Sequence, residues 1–154
     1  MTVAELSRIE RTIEVNAAPD RVWRALTNAE ELSAWFQVKI EGPIAPGTEV
    51  WMTSTHPEHA GQRFLVRFTE MTAPRRLVWE WHPGEVDPGV DYAREPRTTV
   101  TFTLEPSERG TRLSLSETGF DAISLARRAK VYRDNSQGWA MVLDWLQAYV
   151  EKAR

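Results

Sequence analysis

The sequence contains no cysteine, which excludes disulfides, thiolate zinc sites and cysteine nucleophiles. It also lacks a basic excess, because 19 lysines and arginines stand against 22 aspartates and glutamates and give a formal charge of -3. A general nucleic-acid binder normally shows the opposite balance. No apolar run approaches the roughly 20 residues that a membrane span needs, and the N-terminus has no apolar signal core. We therefore expect a soluble, cytoplasmic protein with no nucleic-acid partner and no membrane span.

Tryptophan, in contrast, is abundant, with seven residues in a chain of 154. A chain of this length suits one domain, 1–154. Such a domain buries roughly 70% of the surface of its unfolded chain, so it needs no covalent cross-link. The main question of the sequence is therefore whether the tryptophans fill a core or line a cavity.

Alternation of apolar and polar residues predicts the strands of a mostly antiparallel sheet. The clearest hairpin is the pair of strands joined by the turn 107–110, where Val100, Phe102 and Leu104 alternate with threonines. A short turn at 72–75 joins a second pair. The predicted strands are 8–15, 48–55, 62–71, 76–82, 97–106 and 111–120.

Three helices are predicted around these strands. A proline and an aspartate mark the start of the first, over 17–28. Asn28 and Glu31 form a capping-box pattern at the start of a second, short helix. The C-terminal helix, 135–152, has apolar residues at helical spacing, and Asp134 is placed to cap it. Strands and helices do not alternate, so the class is α+β, and a twisted sheet wrapped around the long helix would bury both apolar faces.

Four segments resemble a known family. They are "APDRVWRALTNAEELSAWF" (18–36), "PRRLVWEW" (74–81), "TRLSLSETGF" (111–120) and "GWAMVLDWLQAYVEK" (138–152). In this order they are similar to the heat-shock protein 90 ATPase activator-homologue family of the START-like (SRPBCC) superfamily. The resemblance implies a helix-grip fold, in which a curved antiparallel sheet of about six to seven strands wraps around a long C-terminal helix, with two short helices after the first strand.

The same resemblance implies an apolar cavity between the sheet and the helix as a common feature. It does not imply one function, because members of the superfamily bind lipids, sterols or plant metabolites, while others are cyclases or assist chaperones in the stress response. Function must therefore be argued from the site and not from the fold.

Trp79-Glu80-Trp81 lies within the predicted strand 76–82. Successive side chains of a strand point to opposite faces, so Leu77, Trp79 and Trp81 share the apolar face that we expect to meet the C-terminal helix. Glu80 then points to the solvated face, beside an arginine or threonine of a neighbouring strand, and we do not expect it to be catalytic. The two tryptophans are either plain core or the wall of a small-molecule cavity, in which aromatic walls with few polar groups are typical.

Glu117 is the carboxylate of greater functional interest. The parity of Leu113 and Leu115 turns its side chain inward, where a carboxylate is costly unless it is paired or hydrated. Three partners are open to it: an arginine, the backbone turn near Gly119, or a donor group of a ligand. Glu117 is thus either a structural residue or a binding residue, and in an enzyme it would act with cavity-bound water.

A loop after the second predicted strand contains His56, Glu58 and His59, which offer two imidazoles and one carboxylate. A zinc site needs three or four ligands in a tetrahedral array. Pro57 and Gly61 indicate a loop, whereas metalloproteases present two histidines four residues apart on a helix. We therefore predict a solvated loop and no metal.

The segment 121–133 is ambiguous, and its four basic residues predict a solvated helix face. An acidic loop over 85–95 forms the opposite pole, and either segment is a candidate lid. His82 lies near that loop, where we predict ordinary surface pairing. The four basic residues are Arg127, Arg128, Lys130 and Arg133.

We therefore predict a cavity between the sheet and the C-terminal helix that binds a hydrophobic or aromatic small molecule, without covalent catalysis, cofactor or metal. Two alternatives stay open: a protein-interaction module with a chaperone or regulator as partner, and a cyclase- or hydrolase-type enzyme that uses the same cavity. A homodimer through an edge strand or the loop 83–96 is a further expectation. The predicted ligand-binding residues are Trp51 (or Met52), Phe64, Trp79, Trp81, Phe102, Glu117, Trp139, Leu143 and Tyr149.

Overall fold

A curved antiparallel sheet grips one long helix. The computed structural model describes residues 7–83 and 95–152. The strands are β1 (Arg8–Val15), β2 (Val38–Glu41), β3 (Glu49–Ser54), β4 (Arg63–Thr72), β5 (Arg76–Trp81), β6 (Thr98–Ser107) and β7 (Gly110–Thr118). They lie in the order β1-β7-β6-β5-β4-β3-β2, so consecutive strands from β2 to β7 are neighbours and β1 pairs with β7. The predicted α+β, helix-grip fold is confirmed.

Three helices accompany the sheet: α1 (Pro19–Thr27), α2 (Ala29–Phe36) and α3 (Leu125–Lys152). Asn28 caps α2 as predicted, since its side-chain oxygen accepts a hydrogen bond from the backbone N–H of Glu31 at 3.1 Å. Gln37 ends the same helix in the left-handed conformation, with φ 57°. The 28 residues of α3 span about 42 Å at 1.5 Å per residue, which is enough to cross the whole sheet.

The start of α3 differs from the prediction. The helix begins at Leu125, whereas the sequence indicated a start at 135 and left 121–133 ambiguous. Asp134 therefore does not cap a helix but lies inside one, where it pairs with Lys130 one turn earlier at 2.8 Å. Opposite charges four residues apart support a helix, so this polar stretch continues α3 instead of interrupting it.

Arg128 is the exception among the basic residues predicted to be solvated. It is only 9% exposed, and its guanidinium donates to the carbonyl oxygen of Ile123 at 3.0 and 3.2 Å and to that of Asp121 at 2.8 Å. These carbonyls belong to the short 3-10 turn Phe120–Ala122 and its end, which lead from β7 into α3. A buried charge is tolerated when it is hydrogen-bonded in this way, so Arg128 joins the two elements.

β2 was not among the predicted strands. It has four residues at the edge of the sheet and pairs only with β3, with Val38 opposite Ser54. Val38 is its single buried residue. A segment this short, with one buried side chain, carries too little alternation to be recognised as a strand.

The concave face of the sheet is apolar, and α3 covers it. On β6, Val100, Phe102 and Leu104 are at most 1% exposed, and the threonines between them point to the other face. The matching stripe of α3 consists of Trp139, Leu143, Leu146 and Val150. Polar residues separate the members of this stripe, and none of the helices described is long and apolar enough to cross a membrane.

Candidate ligand-binding site

An aromatic cluster fills the middle of the interior. Trp79, Phe102 and Trp139 are at most 3% exposed, and their ring centroids lie 5.1 to 6.4 Å apart in tilted and edge-to-face arrangements. The Nε1 atom of Trp79 is buried and forms no hydrogen bond with any described residue. These three rings are therefore core, and the open space of the interior lies to one side of them.

That space is an open cleft of about 640 Å³ between the middle of α3 and the ends of β3, β4 and β5. Its apolar wall consists of Phe36, Val38, Phe64, Trp81, Met141 and Val142. The rings of Phe64 and Trp81 meet edge to face at 5.5 Å, and Trp81 packs against Trp139 of the core at 5.7 Å. The volume and the aromatic wall are typical of sites for small molecules.

The mouth of the cleft is polar on both sides. His56, in the loop between β3 and β4, stacks on Trp145 of α3 with ring centroids 5.2 Å apart and an interplanar angle of 21°. His59 stacks on His56 in turn, at 5.7 Å. This column of rings connects the loop to α3. The polar residues that α3 contributes to the cleft are Lys130, Asp134, Asn135 and Gln137.

Glu117, near the end of β7, lies beneath the cleft and holds its walls together. Its side chain is fully buried. Oε1 accepts hydrogen bonds from Trp139 Nε1 at 2.8 Å and from Asn135 Nδ2 at 3.0 Å. Oε2 accepts from Thr98 Oγ1 at 2.5 Å, from Trp81 Nε1 at 2.9 Å and from Asn135 Nδ2 at 3.1 Å. Because these donors belong to β5, β6 and α3, one carboxylate ties the sheet to the helix.

The surroundings of Glu117 are those of an ionised carboxylate, which can only accept hydrogen bonds. Every contact comes from an N–H or O–H donor, and no arginine or lysine within 7–83 and 95–152 pairs with it. The arginine and the turn near Gly119 that the sequence suggested as partners are therefore not used. With both oxygens occupied and no exposed surface, Glu117 positions Trp81 and Asn135 and does not itself face the cleft.

His82 borders the cleft just after β5. Burial lowers the pKa of its imidazole, and the charge of Arg97 lowers it further, while the hydrogen bond with the backbone oxygen of Glu95 at 3.2 Å raises it. The net direction of the pKa shift is downward, which favours the neutral form of the imidazole. The rest of the predicted acidic loop, 85–94, lies outside the described residues, and so does its role as a lid.

His56, Glu58 and His59 bring three potential ligand atoms within 4.8 Å of one another. The Nδ1 atom of His56, however, accepts the backbone N–H of Glu58 at 3.2 Å, so the proton of the neutral ring is on Nε2. A metal bound at Nε2 would move the proton of the neutral ring to Nδ1, and Nδ1 could then no longer accept the hydrogen bond from Glu58. The geometry favours a hydrogen-bonded turn, and the absence of a metal stays a prediction.

The structure divides the predicted ligand-binding residues into three groups. Phe64 and Trp81 line the cleft, and Glu117 lies beneath it. A second group is buried in the core and does not border the cleft. Its members are Trp79, Phe102, Trp139 and Leu143.

Trp51 and Tyr149 form the third group, which lies elsewhere. Trp51 is 42% exposed on the outer face of the sheet, under the guanidinium of Arg63 at 4.5 Å from the ring centroid. Met52, the alternative at this position, has the buried place because neighbouring strand residues alternate between faces. Tyr149 is one turn from the end of α3 and donates to Glu31 of α2 at 3.1 Å. Neither Trp51 nor Tyr149 borders the cleft.

Sequence reasoning missed two residues of α3 that shape the cleft. Asn135 lines the cleft with its side chain. Gly138 has no side chain and so leaves space there, since a Cβ at Gly138 would meet no atom within 4 Å. A glycine inside a helix costs about 1 kcal/mol relative to alanine. The signal was the glycine within an amphipathic pattern, three residues from an asparagine and so on the same helix face.

Comparison with known proteins agrees with this architecture. Residues 16–151 match the family model described as Activator of Hsp90 ATPase homolog 1-like protein. The chain belongs to this family. The match extends from the end of β1 almost to the end of α3, so the resemblance inferred from four segments is confirmed. No curated protein matches the chain.

Solved structures show the same fold. The present chain is similar to protein MLL2253 from Mesorhizobium loti, with 22% identity and a TM-score of 0.76 over 96% of this chain and 98% of that one. It is similar to a protein from Arthrobacter aurescens at 20% identity and TM-score 0.75, over 99% and 90% of the two chains. It is also similar to the Aha1 dimer from Colwellia psychrerythraea at 18% identity and TM-score 0.71, over 94% and 96%.

Proposed function

We propose that this protein binds a hydrophobic or aromatic small molecule in the cleft between α3 and strands β3 to β5, without covalent catalysis. The observation that carries the proposal is the apolar cleft itself, about 640 Å³ of open space beside a close-packed aromatic core. An opening of this size with an aromatic wall supports a binding role.

Two features of the chain maintain the cleft at a cost in stability. Gly138 leaves the helix without a side chain where one would enter open space. Glu117 is a charge held in the interior, and its hydrogen bonds fix the indole of Trp81 in the cleft wall. A protein under selection for stability alone gains by filling the space and by replacing the buried charge and its donors together with packed apolar side chains. Their presence supports a cleft that is used.

Glu117 supports binding better than catalysis. A general base must come within hydrogen-bond reach of the proton that it removes. Glu117 has no exposed surface, and both of its oxygens already accept hydrogen bonds from protein donors. The enzyme alternative that relied on this carboxylate therefore loses its proposed acid–base group.

The protein-interaction alternative has less support. The exposed large apolar residues in the described part of the chain are Trp51, Leu125 and Met141. They lie on the outer face of the sheet, at the start of α3 and at the cleft, so they do not form one apolar patch. A chaperone partner, a homodimer and a cytoplasmic location stay predictions, and light scattering after size-exclusion chromatography tests the homodimer.

The test of the proposal fills the cleft. Gly138→Phe places a ring in the open space, and Ala140→Phe places the same ring on the exposed face of the same helix. The probe is 2-methoxynaphthalene, an aromatic molecule with no hydrogen-bond donor, and isothermal titration calorimetry measures its dissociation constant. We expect Gly138→Phe to weaken binding at least about tenfold, and Ala140→Phe to leave it within about twofold.

Circular dichroism on both variants confirms that the fold is retained. Equal loss of binding in the two variants, or equal retention with the folds intact, contradicts the proposed site. A wild-type protein that binds neither 2-methoxynaphthalene nor a related aromatic probe contradicts the proposed function.

A further inference from the structure

Asn135 is the polar side chain through which the cleft is connected to the buried carboxylate. It borders the cleft on α3, and its Nδ2 donates to both oxygens of Glu117 at 3.0 and 3.1 Å. An ionised carboxylate only accepts. The amide of Asn135 must therefore turn its NH2 group to Glu117, and it cannot rotate by half a turn without placing oxygen against oxygen.

This orientation leaves Oδ1 as the free polar atom of Asn135. The side chain forms no other hydrogen bond with the described residues. Glu117 is fully buried, whereas Asn135 is partly exposed and borders the cleft. The end of the amide that points away from Glu117 is thus on the side of the cleft, and it is an acceptor with a fixed direction.

The neighbouring side chain in the wall, Trp81, is equally fixed and offers no free polar atom to the cleft. Trp81 Nε1 donates to Oε2 of Glu117 at 2.9 Å, one of the two oxygens that Asn135 also contacts. The indole therefore presents only its apolar ring to the cleft. Of these two neighbouring residues, only Asn135 offers an aromatic molecule packed on Trp81 an uncommitted hydrogen-bonding atom, and that atom accepts.

The charges around the cleft point in the same direction. Behind Asn135 lies a carboxylate whose contacts are all neutral. Among the described residues, the arginine and the lysine that border the cleft are already paired: Arg63 with Glu41 at 3.2 Å and Lys130 with Asp134 at 2.8 Å. An anionic group placed at Asn135 would face an oxygen with a negative charge behind it, and the described residues provide no unpaired lysine or arginine at the cleft to balance that group.

We infer that Asn135 Oδ1, held by Glu117, is a specificity-determining acceptor, and that the cleft takes aromatic molecules with a neutral hydrogen-bond donor, such as a phenol or an aryl N–H. This inference rests on the proposed function and names its ligand class. Glu117 acts in it as a positioning residue. An aromatic carboxylate is the molecule of similar shape that the same geometry disfavours.

Three matched probes test the inference on the wild-type protein: 2-naphthol, 2-methoxynaphthalene and 2-naphthoate, each titrated by calorimetry at pH 7. They share one ring system and differ only in the group at position 2. We expect 2-naphthol to bind about five- to tenfold tighter than 2-methoxynaphthalene, the factor expected for one neutral hydrogen bond, and 2-naphthoate to bind weakest.

The variant Glu117→Gln separates a positioning role of Glu117 from a purely structural one, because a purely structural role would not change the ratio of the affinities for two probes. With an amide in place of the carboxylate, Asn135 is free to rotate. The ratio between the affinities for 2-naphthol and 2-methoxynaphthalene should then fall to within about twofold, whatever the change in the affinity for 2-methoxynaphthalene itself.

The outcomes separate the inference from the proposed function. Equal affinities of 2-naphthol and 2-methoxynaphthalene, or a preference for 2-naphthoate, overturn the inference and leave the proposed function standing. Binding of none of the three probes overturns both. If Glu117→Gln does not fold, the ratios measured on the wild-type protein decide the question alone.

Discussion

Replacing Glu117 by glutamine tests whether one buried carboxylate connects the sheet to α3. The substitution keeps the shape of the side chain and replaces one oxygen by an NH2 group. Oε1 accepts from Trp139 and Asn135, and Oε2 accepts from Thr98, Trp81 and Asn135. Whichever way the amide turns, it places a donor against at least one indole N–H.

The expected loss of stability is that of the more favourable of the two orientations of the glutamine amide. If the NH2 group takes the place of Oε2, the hydroxyl of Thr98 can rotate and accept from it. The indole N–H of Trp81 then has no acceptor, at a cost of about 1–3 kcal/mol. The remaining hydrogen bonds become weaker because their acceptor is no longer charged. Removing the buried charge also removes its desolvation cost, which offsets part of this loss in the free energy of unfolding. We expect a net destabilisation of about 3 kcal/mol.

Urea unfolding, followed by circular dichroism at pH 7, measures this change in the free energy of unfolding. A loss of about 3 kcal/mol lowers the melting temperature by about 6–12 °C in a chain of this size. The control is Glu80→Gln, on the outer face of the sheet opposite Arg67 and Thr99, where we expect a change within about 0.5 kcal/mol. If both variants lose the same small amount, Glu117 does not hold the cleft together.

Two further predictions concern α3 and α2. Gly138→Ala should raise the free energy of unfolding by about 1 kcal/mol, because a Cβ meets no atom within 4 Å and alanine favours the helix; a loss of stability in thermal unfolding would show that the space is not open. Burial raises the pKa of Glu31, but hydrogen bonds from Arg21 and Tyr149 outweigh this effect, so the pKa in the folded protein is below 4.5, the usual value for a glutamate. Glu31 therefore stabilises the fold above that pH and loses this effect as the pH falls through the lowered pKa, and Glu31→Gln should flatten the loss of stability between pH 5 and about pH 3 in urea titrations.

Most of the sheet could be predicted, because strand parity is a strict period of two. It placed Trp79 and Trp81 inside, Glu80 outside between Arg67 and Thr99, and Glu117 inside. The strand and helix order followed from the same patterns, and the family resemblance pointed to the helix-grip arrangement.

The start of α3 and the edge strand β2 could not be predicted from pattern alone. The first turns of α3 are polar, and their helical conformation depends on Arg128, whose partners are backbone carbonyls of a turn that precedes the helix. β2 depends on pairing with β3. Both are tertiary contacts, which local sequence does not encode.

The location of the cleft was also beyond the sequence. Parity shows which side chains point inward, but not whether facing side chains meet. Trp79 and Trp139 do meet and close the centre, whereas Gly138, about 100° around the helix from Trp139, leaves space beside them. Asn135 was also missed as a partner of Glu117. It was predicted to be the first residue of the C-terminal helix, but that helix begins ten positions earlier, at Leu125.

The central claim is that a small aromatic molecule occupies the cleft, and the indole N–H signals of the seven tryptophans test it most directly. Trp81 and Trp145 border the cleft, while Trp51 lies on the outer face of the sheet. In ¹⁵N–¹H spectra recorded during titration with 2-naphthol, we predict saturable shifts of the signals of Trp81 and Trp145 and a constant signal of Trp51. Constant signals of Trp81 and Trp145, or a shift confined to Trp51, would contradict the account.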